Sequence, residues 1–142
     1  MKEFNVMVVD DEDDFREMTS KILTKRGLHV QSAESGQRAL EILGHSRTDV
    51  VLLDVKMPGM DGIETLRQIR SLKPLIEVVL LTGHASVESG IEGMKLGAFD
   101  YLMKPIDTEP LLEKLDEAYE KKRLHQEKID QALLKKHLVM PS

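Results

Sequence analysis

Residues 50–62 read VVLLDVKMPGMDG, and this stretch decides the fold around which the rest of the chain is arranged. Its first four residues are apolar and are followed by turn formers, a pattern typical of a strand buried on both faces of a parallel sheet. The strand ends at Asp54, and the Pro-Gly and Asp-Gly pairs beyond it favour a tight loop. Because open α/β sheets bind their ligands beyond the carboxyl ends of the strands, we expect Asp54 to lie in a functional site.

Four further apolar segments indicate strands, and each is followed by a helical pattern. These segments are Val6–Val9, Leu28–Ala33, Val78–Leu81 and Phe99–Met103. Five strand–helix repeats in strict alternation predict an α/β fold: a doubly wound, flavodoxin-like five-stranded parallel sheet in the order 2-1-3-4-5, with helices on both faces.

The helices are predicted from apolar periodicity and from capping residues. Ser35, Asp61 and Ser86 are placed to begin the second, third and fourth helices. Apolar residues recur at helical spacing in the first helix (Phe15, Met18, Ile22) and in the fourth (Val87, Ile91, Met94).

Size, charge and composition exclude several classes of protein. The 142 residues fit one domain, and the net charge of −5 argues against a general nucleic-acid-binding surface. The absence of cysteine excludes disulfides and thiolate chemistry. No apolar run approaches the roughly 20 residues that span a bilayer, and residues 1–9 lack the pattern of a signal peptide. We therefore expect a cytoplasmic protein that binds neither membrane nor nucleic acid directly.

Polar residues that follow four of the predicted strands should meet at one edge of the sheet. They are Asp10 and Asp11 after the first strand, Asp54 after the third, Thr82 after the fourth and Lys104 after the fifth. Three adjacent carboxylates resist joint ionisation unless a cation binds, and their oxygens suit Mg²⁺. Asp54 could then act as a nucleophile that forms an aspartyl-phosphate, with Lys104 and the metal offsetting the charge of the transferred group.

These motifs together resemble the receiver domain of bacterial two-component response regulators. The residues that show the resemblance are the Asp-Asp pair, the central Asp54 with its Pro-Gly-x-Asp-Gly loop, Thr82 and the pair Lys104-Pro105. The resemblance covers about residues 5–115. Within it, residues 87–106 are similar to receivers of sigma-54-dependent transcription activators.

The resemblance implies a role for each matching residue. Asp54 would be phosphorylated, and it would bind Mg²⁺ together with Asp11 and the backbone carbonyl of Lys56. Asp10 would hold the metal through water, and Lys104 would pair with Asp54 or its phosphoryl group.

The resemblance also implies a switch. Thr82 would bond a phosphoryl oxygen, Tyr101 would turn inward, and Lys104-Pro105 would be a cis peptide bond. The surface formed by the fourth helix, fifth strand and fifth helix would respond. The implied partner is a sensor histidine kinase or a phosphotransfer protein, and the protein would be a self-modifying switch rather than a turnover enzyme.

Three residues beside the site are expected to tune the loss of phosphate. Gly83 is small and should leave the phosphoryl group accessible. Lys56 and His84, two residues beyond Asp54 and Thr82, occupy positions that in the family border the path of the attacking water. We expect their bulky side chains to set the autodephosphorylation rate.

The sequence divides into a receiver over residues 1–119 and a helical extension or linker over residues 120–142. The extension carries charges of both signs and a weak heptad pattern, so a fraying helix, a dimerising helix and a linker to an output domain stay open. A homodimer could form through this helix or through the fourth helix, fifth strand and fifth helix. The sequence has no ATPase loop or helix-turn-helix, and whether it is a stand-alone receiver or a piece of a longer regulator stays open.

Three other functions compete with this hypothesis. A haloacid-dehalogenase-type phosphatase would need an Asp-x-Asp motif after the first strand and a cap domain. A flavodoxin-like FMN carrier would need a hydroxyl- and glycine-rich phosphate loop where this chain has carboxylates, which repel phosphate. A degenerate receiver that acts only as a scaffold would not need the intact acid, hydroxyl and lysine positions.

Overall fold

The structure is a computed structural model that describes residues 2–57, 59–83 and 87–139. Strands and helices alternate along the described chain. They are β1 Asn5–Val9, α1 Asp13–Lys25, β2 His29–Ala33, α2 Gly36–Leu43, β3 Val50–Asp54, α3 Gly62–Leu72, β4 Glu77–Thr82, α4 Val87–Lys95, β5 Asp100–Met103 and α5 Thr108–Val139.

The five strands form one parallel sheet in the order β2-β1-β3-β4-β5, which confirms the predicted fold. Strand β3 lies at the centre, and each of its five residues is buried. The register pairs Val9 with Leu53 and Asp54 with Leu81, so β1, β3 and β4 end at the same level. This end is called the carboxyl edge below, and the opposite end is called the amino edge.

Alternate residues of the strands fill two hydrophobic cores, one on each face of the sheet. Val51 and Leu53 of β3 face a core that α2 and α3 complete. Val50 and Leu52 face the other core, to which α1 and α5 contribute. Because burying each such side chain contributes roughly 1.5–3 kcal/mol, these two cores fix the strand positions and therefore the sites where the strands end.

The predicted helix caps are confirmed where they can be observed. The Ser35 side chain accepts a hydrogen bond from the Arg38 backbone N–H, and Asp61 accepts one from the N–H of Glu64. Such caps pair N–H groups that the first turn leaves without partners. The third predicted cap, Ser86, lies outside the described residues.

Two helices bury a face that apolar periodicity does not indicate. In α1 the buried residues are Thr19 and Leu23, whereas Met18 is 63% exposed. In α4 the apolar residues Ile91 and Met94 are also exposed, at 47% and 39%. Periodicity therefore predicts the two helices but not the side that packs on the sheet.

The glycines of α4 explain its orientation. A Cβ atom at Gly93 would lie 2.2 Å from Leu80 Cδ1, and one at Gly90 would lie 3.2 Å from Thr82 Cγ2. The helix thus lies against β4 through two residues that have no side chain, which turns its apolar residues outward.

Helix α5 continues without interruption from the receiver into the predicted extension. The Tyr119 ring stacks on Phe4 with 4.5 Å between ring centroids, and Lys122 Nζ lies 2.9 Å from Asp49 Oδ1. Beyond these contacts Leu124 and Leu133 are exposed. Among the described residues, no helix combines the length and apolarity that crossing a membrane requires.

Candidate functional site

The carboxyl edge brings together side chains from four strands, as the sequence predicts. Asp10 follows β1, Asp54 ends β3, Thr82 ends β4 and Lys104 follows β5. A backbone hydrogen bond from Lys104 N–H to the Thr82 carbonyl (2.7 Å) extends the sheet beyond its last strands. The site residues are therefore fixed by the same hydrogen-bond ladder that orders the strands.

Lys104 reaches into a group of three carboxylates. Its Nζ atom lies 2.7 Å from Asp10 Oδ2, 3.1 Å from Glu12 Oε1 and 3.6 Å from Asp54 Oδ2. It also lies 4.2 Å from the centroid of the Phe15 ring. Burial opposes the charged form of Lys104, but the hydrogen bond to Asp10 and the charge of Asp54 outweigh burial and raise its pKa. Lys104 is a permanent cation within this group.

The Asp54 carboxyl group is distinguished by its burial and by its raised pKa. The residue is 6% exposed, and its Oδ1 accepts a hydrogen bond from the Lys56 backbone N–H at 3.1 Å. Burial raises the pKa of Asp54 to about 6, and the neighbouring charge of Asp10 adds to the rise. Lys104 and the Lys56 N–H act in the opposite direction but do not cancel it. Asp54 therefore carries a negative charge that the protein compensates incompletely.

The loop beyond Asp54 lies close to the backbone of β3 because of a glycine. The Gly62 N–H donates to the Val55 carbonyl at 3.1 Å. A Cβ atom at Gly62 would lie 2.3 Å from the Asp54 carbonyl oxygen and 2.5 Å from Val55 Cα. No other amino acid fits this approach, so Gly62 maintains the position at which Asp54 is presented.

The group of carboxylates that could hold a metal ion differs in one member from the ligands expected from the sequence. Oxygens of Asp10, Glu12 and Asp54 lie within 4.8 Å of one another, a hard-oxygen arrangement that suits Mg²⁺. Asp11 is exposed and is not a member of this group, although its charge contributes to the raised pKa of Asp54.

Sequence reasoning missed Glu12. The signal that could have found it is its position directly before α1, where the chain turns back. There its N–H donates to Asp10 Oδ1 at 2.9 Å, and its Oε1 accepts a hydrogen bond from Lys104 Nζ at 3.1 Å.

The residues expected to tune phosphate loss fall in different settings. The Lys56 side chain is exposed, and Lys56 lines an open cavity of about 480 Å³ with Met57, Asp61 and Ser89. Among the described residues, none has an atom within 4 Å of a Cβ atom built at Gly83. His84 lies outside the described residues.

Thr82 and Tyr101 lie near one another, against the same glycine of α4. A Cβ atom at Gly90 would lie 3.2 Å from Thr82 Cγ2 and 3.4 Å from Tyr101 Cγ. Thr82 is fully buried, and its hydroxyl donates to the Leu102 carbonyl at the long distance of 3.5 Å. Tyr101 is partly buried against the core that includes Leu80. The Thr82 side chain, whose hydroxyl is weakly bonded, and the partly buried Tyr101 ring therefore lie side by side next to Gly90.

The peptide bond between Lys104 and Pro105 is cis, as the family resemblance implied.

Comparisons with known proteins agree with the geometry. The family model of the response regulator receiver domain matches residues 6–116. Regulatory protein AtoC of Escherichia coli (strain K12) is 41% identical over 106 residues, which are 75% of this chain and 23% of AtoC.

Two solved structures are also similar. A response regulator receiver domain protein from Clostridium thermocellum superposes with a TM-score of 0.82 at 34% identity, over 85% of this chain and 98% of that one. NtrX from Brucella abortus, crystallised with ADP, gives a TM-score of 0.87 at 29% identity, over 92% of this chain and 30% of that one.

This chain thus spans about a quarter of the length of the curated relatives that it matches.

Proposed function

This chain belongs to the response regulator receiver domain family of two-component signal transduction, and on that premise we propose that Asp54 accepts a phosphoryl group from a histidine kinase or phosphotransfer protein. Receivers of this family are signalling switches, and the relatives named above are regulators. We propose in addition the phosphoryl-transfer reaction at Asp54 and the residues of this site that take part in it.

The observation that carries the proposal is the incompletely compensated Asp54 beside Lys104. The Asp54 carboxylate is buried, has a pKa raised to about 6 and lies 3.6 Å from a permanent cation. At neutral pH it is ionised and able to act as a nucleophile. Its site also lacks positive charge, since three carboxylates face one ammonium group. A divalent cation would complete this charge balance and would also offset the negative charge of an incoming phosphoryl group.

In the proposed reaction an Asp54 oxygen attacks the phosphorus of a phosphohistidine. The new O–P bond forms as the N–P bond breaks, and the imidazole nitrogen keeps the electron pair and takes up a proton. Lys104 holds a phosphoryl oxygen and stabilises the charge that spreads over these oxygens in the transition state.

We propose that Mg²⁺ is held by Asp10 and Asp54, by either Glu12 or Asp11, and by the backbone carbonyl of Lys56. When bound, Mg²⁺ supplies charge neutralisation and orients the phosphoryl oxygens. Asp10 and Glu12 bind Lys104 at 2.7 and 3.1 Å, so they also hold this cation beside Asp54.

We propose that Thr82 and Tyr101 transmit the reaction to α4, β5 and α5. A phosphoryl group adds roughly −1.5 to −2 charge and new acceptor oxygens. The Thr82 hydroxyl, held only by a 3.5 Å contact, would turn to such an oxygen, and Tyr101 would move into the vacated space. Nearly complete switching takes about 5.5 kcal/mol of differential stabilisation. Charge-assisted contacts at roughly 1.5–3 kcal/mol each would supply it if two or three of them change.

The lifetime of the phosphorylated form is proposed to depend on Lys56 and His84, with open access at Gly83. Timing phosphate release in Lys56→Ala and His84→Ala tests this, and unchanged lifetimes in both variants would contradict it.

The remaining proposals concern the whole protein. Residues 1–119 are proposed as the receiver and residues 120–142 as an extension that leads to an output domain or mediates homodimerisation. A cytoplasmic location follows from partnership with a kinase domain. Light scattering with and without beryllofluoride measures the association directly.

The deciding experiment is phosphorylation by acetyl phosphate with Mg²⁺, followed by intact-mass spectrometry. Wild type should gain one labile phosphoryl group, whereas Asp54→Asn should gain none. Asp107→Asn, which changes an exposed aspartate beyond the site, is the matched control and should label like wild type. An adduct that persists in Asp54→Asn, or continuous hydrolysis of small phosphoesters, would overturn the proposal in favour of another acceptor or a phosphatase.

A further inference from the structure

The amino edge of the sheet, opposite Asp54, has an open cavity of about 320 Å³. Its walls come from the loop between α2 and β3, the loop between α3 and β4, and α5. Leu43, Leu75 and Ile76 make part of the lining apolar. Leu72, which also lines the cavity, is 64% exposed. Apolar surface thus continues from the cavity to the outside of the protein, as it does at protein interaction sites.

A buried hydroxyl without a partner lines the same cavity. Thr48 is 7% exposed, and its Oγ1 atom is buried without a hydrogen-bond partner in the described part of the chain. Buried polar side chains nearly always have a partner, and each exception calls for an explanation. The atom is closed off from the cavity by its neighbours, so the wall would have to shift before a ligand could pair with this hydroxyl.

Two cations line the cavity from different loops. Within residues 2–57, 59–83 and 87–139, neither Arg47 nor Lys73 has a carboxylate oxygen within 4.0 Å. Lys122, the third cation of the lining, differs because it is bound to Asp49 at 2.9 Å. Arg47 and Lys73 can therefore pair with acidic groups of a ligand, although the protein as a whole is negatively charged.

The cavity continues along α5. A second depression of about 290 Å³ shares Arg47, Lys122 and Gln126 with the first. Its lining also includes the carboxylates Asp49, Glu127 and Asp130, so the acidic groups of a ligand belong at the first cavity, beside Arg47 and Lys73. The two depressions together form a trough, and an elongated trough suits a chain segment better than a compact small molecule.

We propose that this trough binds a short acidic segment of a partner protein. An aliphatic side chain of the segment enters the cavity beside Leu72, and carboxylates on either side of it pair with Arg47 and Lys73. This surface lies at the opposite edge of the sheet from Asp54, so a partner can occupy it while the phosphoryl site is accessible to a kinase.

A peptide titration of the full chain, followed by two-dimensional amide NMR, tests the proposal. The probe is the blocked peptide Glu-Asp-Leu-Leu-Glu-Asp, and the comparison peptides are Glu-Asp-Ser-Ser-Glu-Asp and Lys-Arg-Leu-Leu-Lys-Arg. The acidic, aliphatic peptide should shift the amide signals of Thr48 and Leu75, weakly at high salt and more strongly at low salt. The comparison peptides should not shift them.

Charge reversal provides the matched variants. The double variant Arg47→Glu with Lys73→Glu should bind the peptide about tenfold more weakly than wild type. Lys21→Glu with Lys95→Glu, which changes two exposed lysines of α1 and α4 by the same net charge, should bind like wild type. Both variants should be phosphorylated by acetyl phosphate as wild type is, so this inference and the proposed function fail separately.

Three outcomes would overturn the proposal. They are equal weakening in both double variants, shifts that map away from Thr48 and Leu75, and equal shifts with hexanoate, which would assign the cavity to a small carboxylate.

Discussion

Two buried carboxylates beside β3, Asp54 at the carboxyl edge and Asp49 at the amino edge, differ in electrostatic character. At the carboxyl edge, burial and the charge of Asp10 raise the pKa of Asp54 to about 6. At the amino edge Asp49 is 2% exposed, and burial again acts to raise its pKa. There, however, hydrogen bonds from the Asn5 backbone N–H (2.8 Å) and from Lys122 outweigh burial, and the pKa is lowered.

The difference indicates that the negative charge of Asp54, unlike that of Asp49, can be neutralised further by a bound ligand. Asp49 directly precedes β3 and Asp54 ends it, so this one strand has a fully paired carboxylate before its first residue and an incompletely compensated one at its last. Burial alone therefore does not identify a functional acid. The identifying feature is burial combined with too few donors and too many like charges, as at Asp54.

The largest expected effect comes from adding one methyl group at the carboxyl edge. Gly62→Ala would place Cβ 2.3 Å from the Asp54 carbonyl oxygen, which is backbone and cannot turn away. We expect a loss of about 3 kcal/mol in the free energy of unfolding, the upper part of the usual range for overpacking. Urea unfolding measures the loss, and acetyl phosphate labelling should fall with it because Asp54 is displaced.

Gly44→Ala is the matched control at the amino edge. Gly44 has helical dihedral angles, and a Cβ atom there would approach no atom closer than 3.4 Å. The substitution should leave stability unchanged or raise it by roughly 0.4–1 kcal/mol. Equal destabilisation by both substitutions would show that the close approach at Gly62 is not specific.

An effect of similar size is expected from removing the counter-ion at the amino edge. Lys122→Ala leaves Asp49 buried and without its cation, and we expect a loss of about 3 kcal/mol in the free energy of unfolding. Lys128→Ala is the control, because Lys128 is an exposed lysine of the same helix, so its loss should cost less than about 0.5 kcal/mol. Urea unfolding of both variants measures the difference, and equal losses would contradict the special role of Lys122.

The smallest effect has the opposite sign and depends on pH. Because the folded pKa of Asp54 (about 6) lies above its ordinary value of 3.8, the folded state binds the proton more tightly than the unfolded state. The contribution of Asp54 to stability therefore falls as the pH rises from about 4 to about 6 and stays low above that. Asp54→Asn removes this contribution and should stabilise the metal-free protein by about 2 kcal/mol at neutral pH.

Asp49 should show the reverse dependence. Its pKa is lowered below 3.8, so its contribution is present at higher pH and is lost as the pH falls through the folded pKa. Comparing the urea unfolding of wild type and of Asp54→Asn from about pH 4 to about pH 7 isolates the contribution of Asp54 to stability. A constant difference across this range would contradict the raised pKa of Asp54.

Much of this arrangement could be predicted because strand ends are visible in the sequence. Apolar runs located the strands, alternation with helices fixed their order, and the residue after each run placed Asp10, Asp54, Thr82 and Lys104 at one edge. The family resemblance then supplied the expected roles. These predictions required only that parallel strands end together.

The remaining features depend on three-dimensional contacts between distant residues. Glu12 joins the carboxylate group through Lys104, which lies 92 positions away in the sequence. The outward orientation of Ile91 and Met94 follows from the close approach of Gly93 to Leu80. The pairing of Asp49 with Lys122 joins residues 73 positions apart. Spacing along the sequence cannot specify such contacts.

The pair formed by Asp49 and Lys122 also sets a practical limit for domain engineering. The family match ends at residue 116, six positions before this lysine. A chimaera whose junction replaces residues 117–122 would remove the cation from Asp49 and the ring of Tyr119 from Phe4. Junctions that attach this receiver to a foreign effector should therefore lie beyond Lys122, so that the transplanted unit carries its own counter-charge.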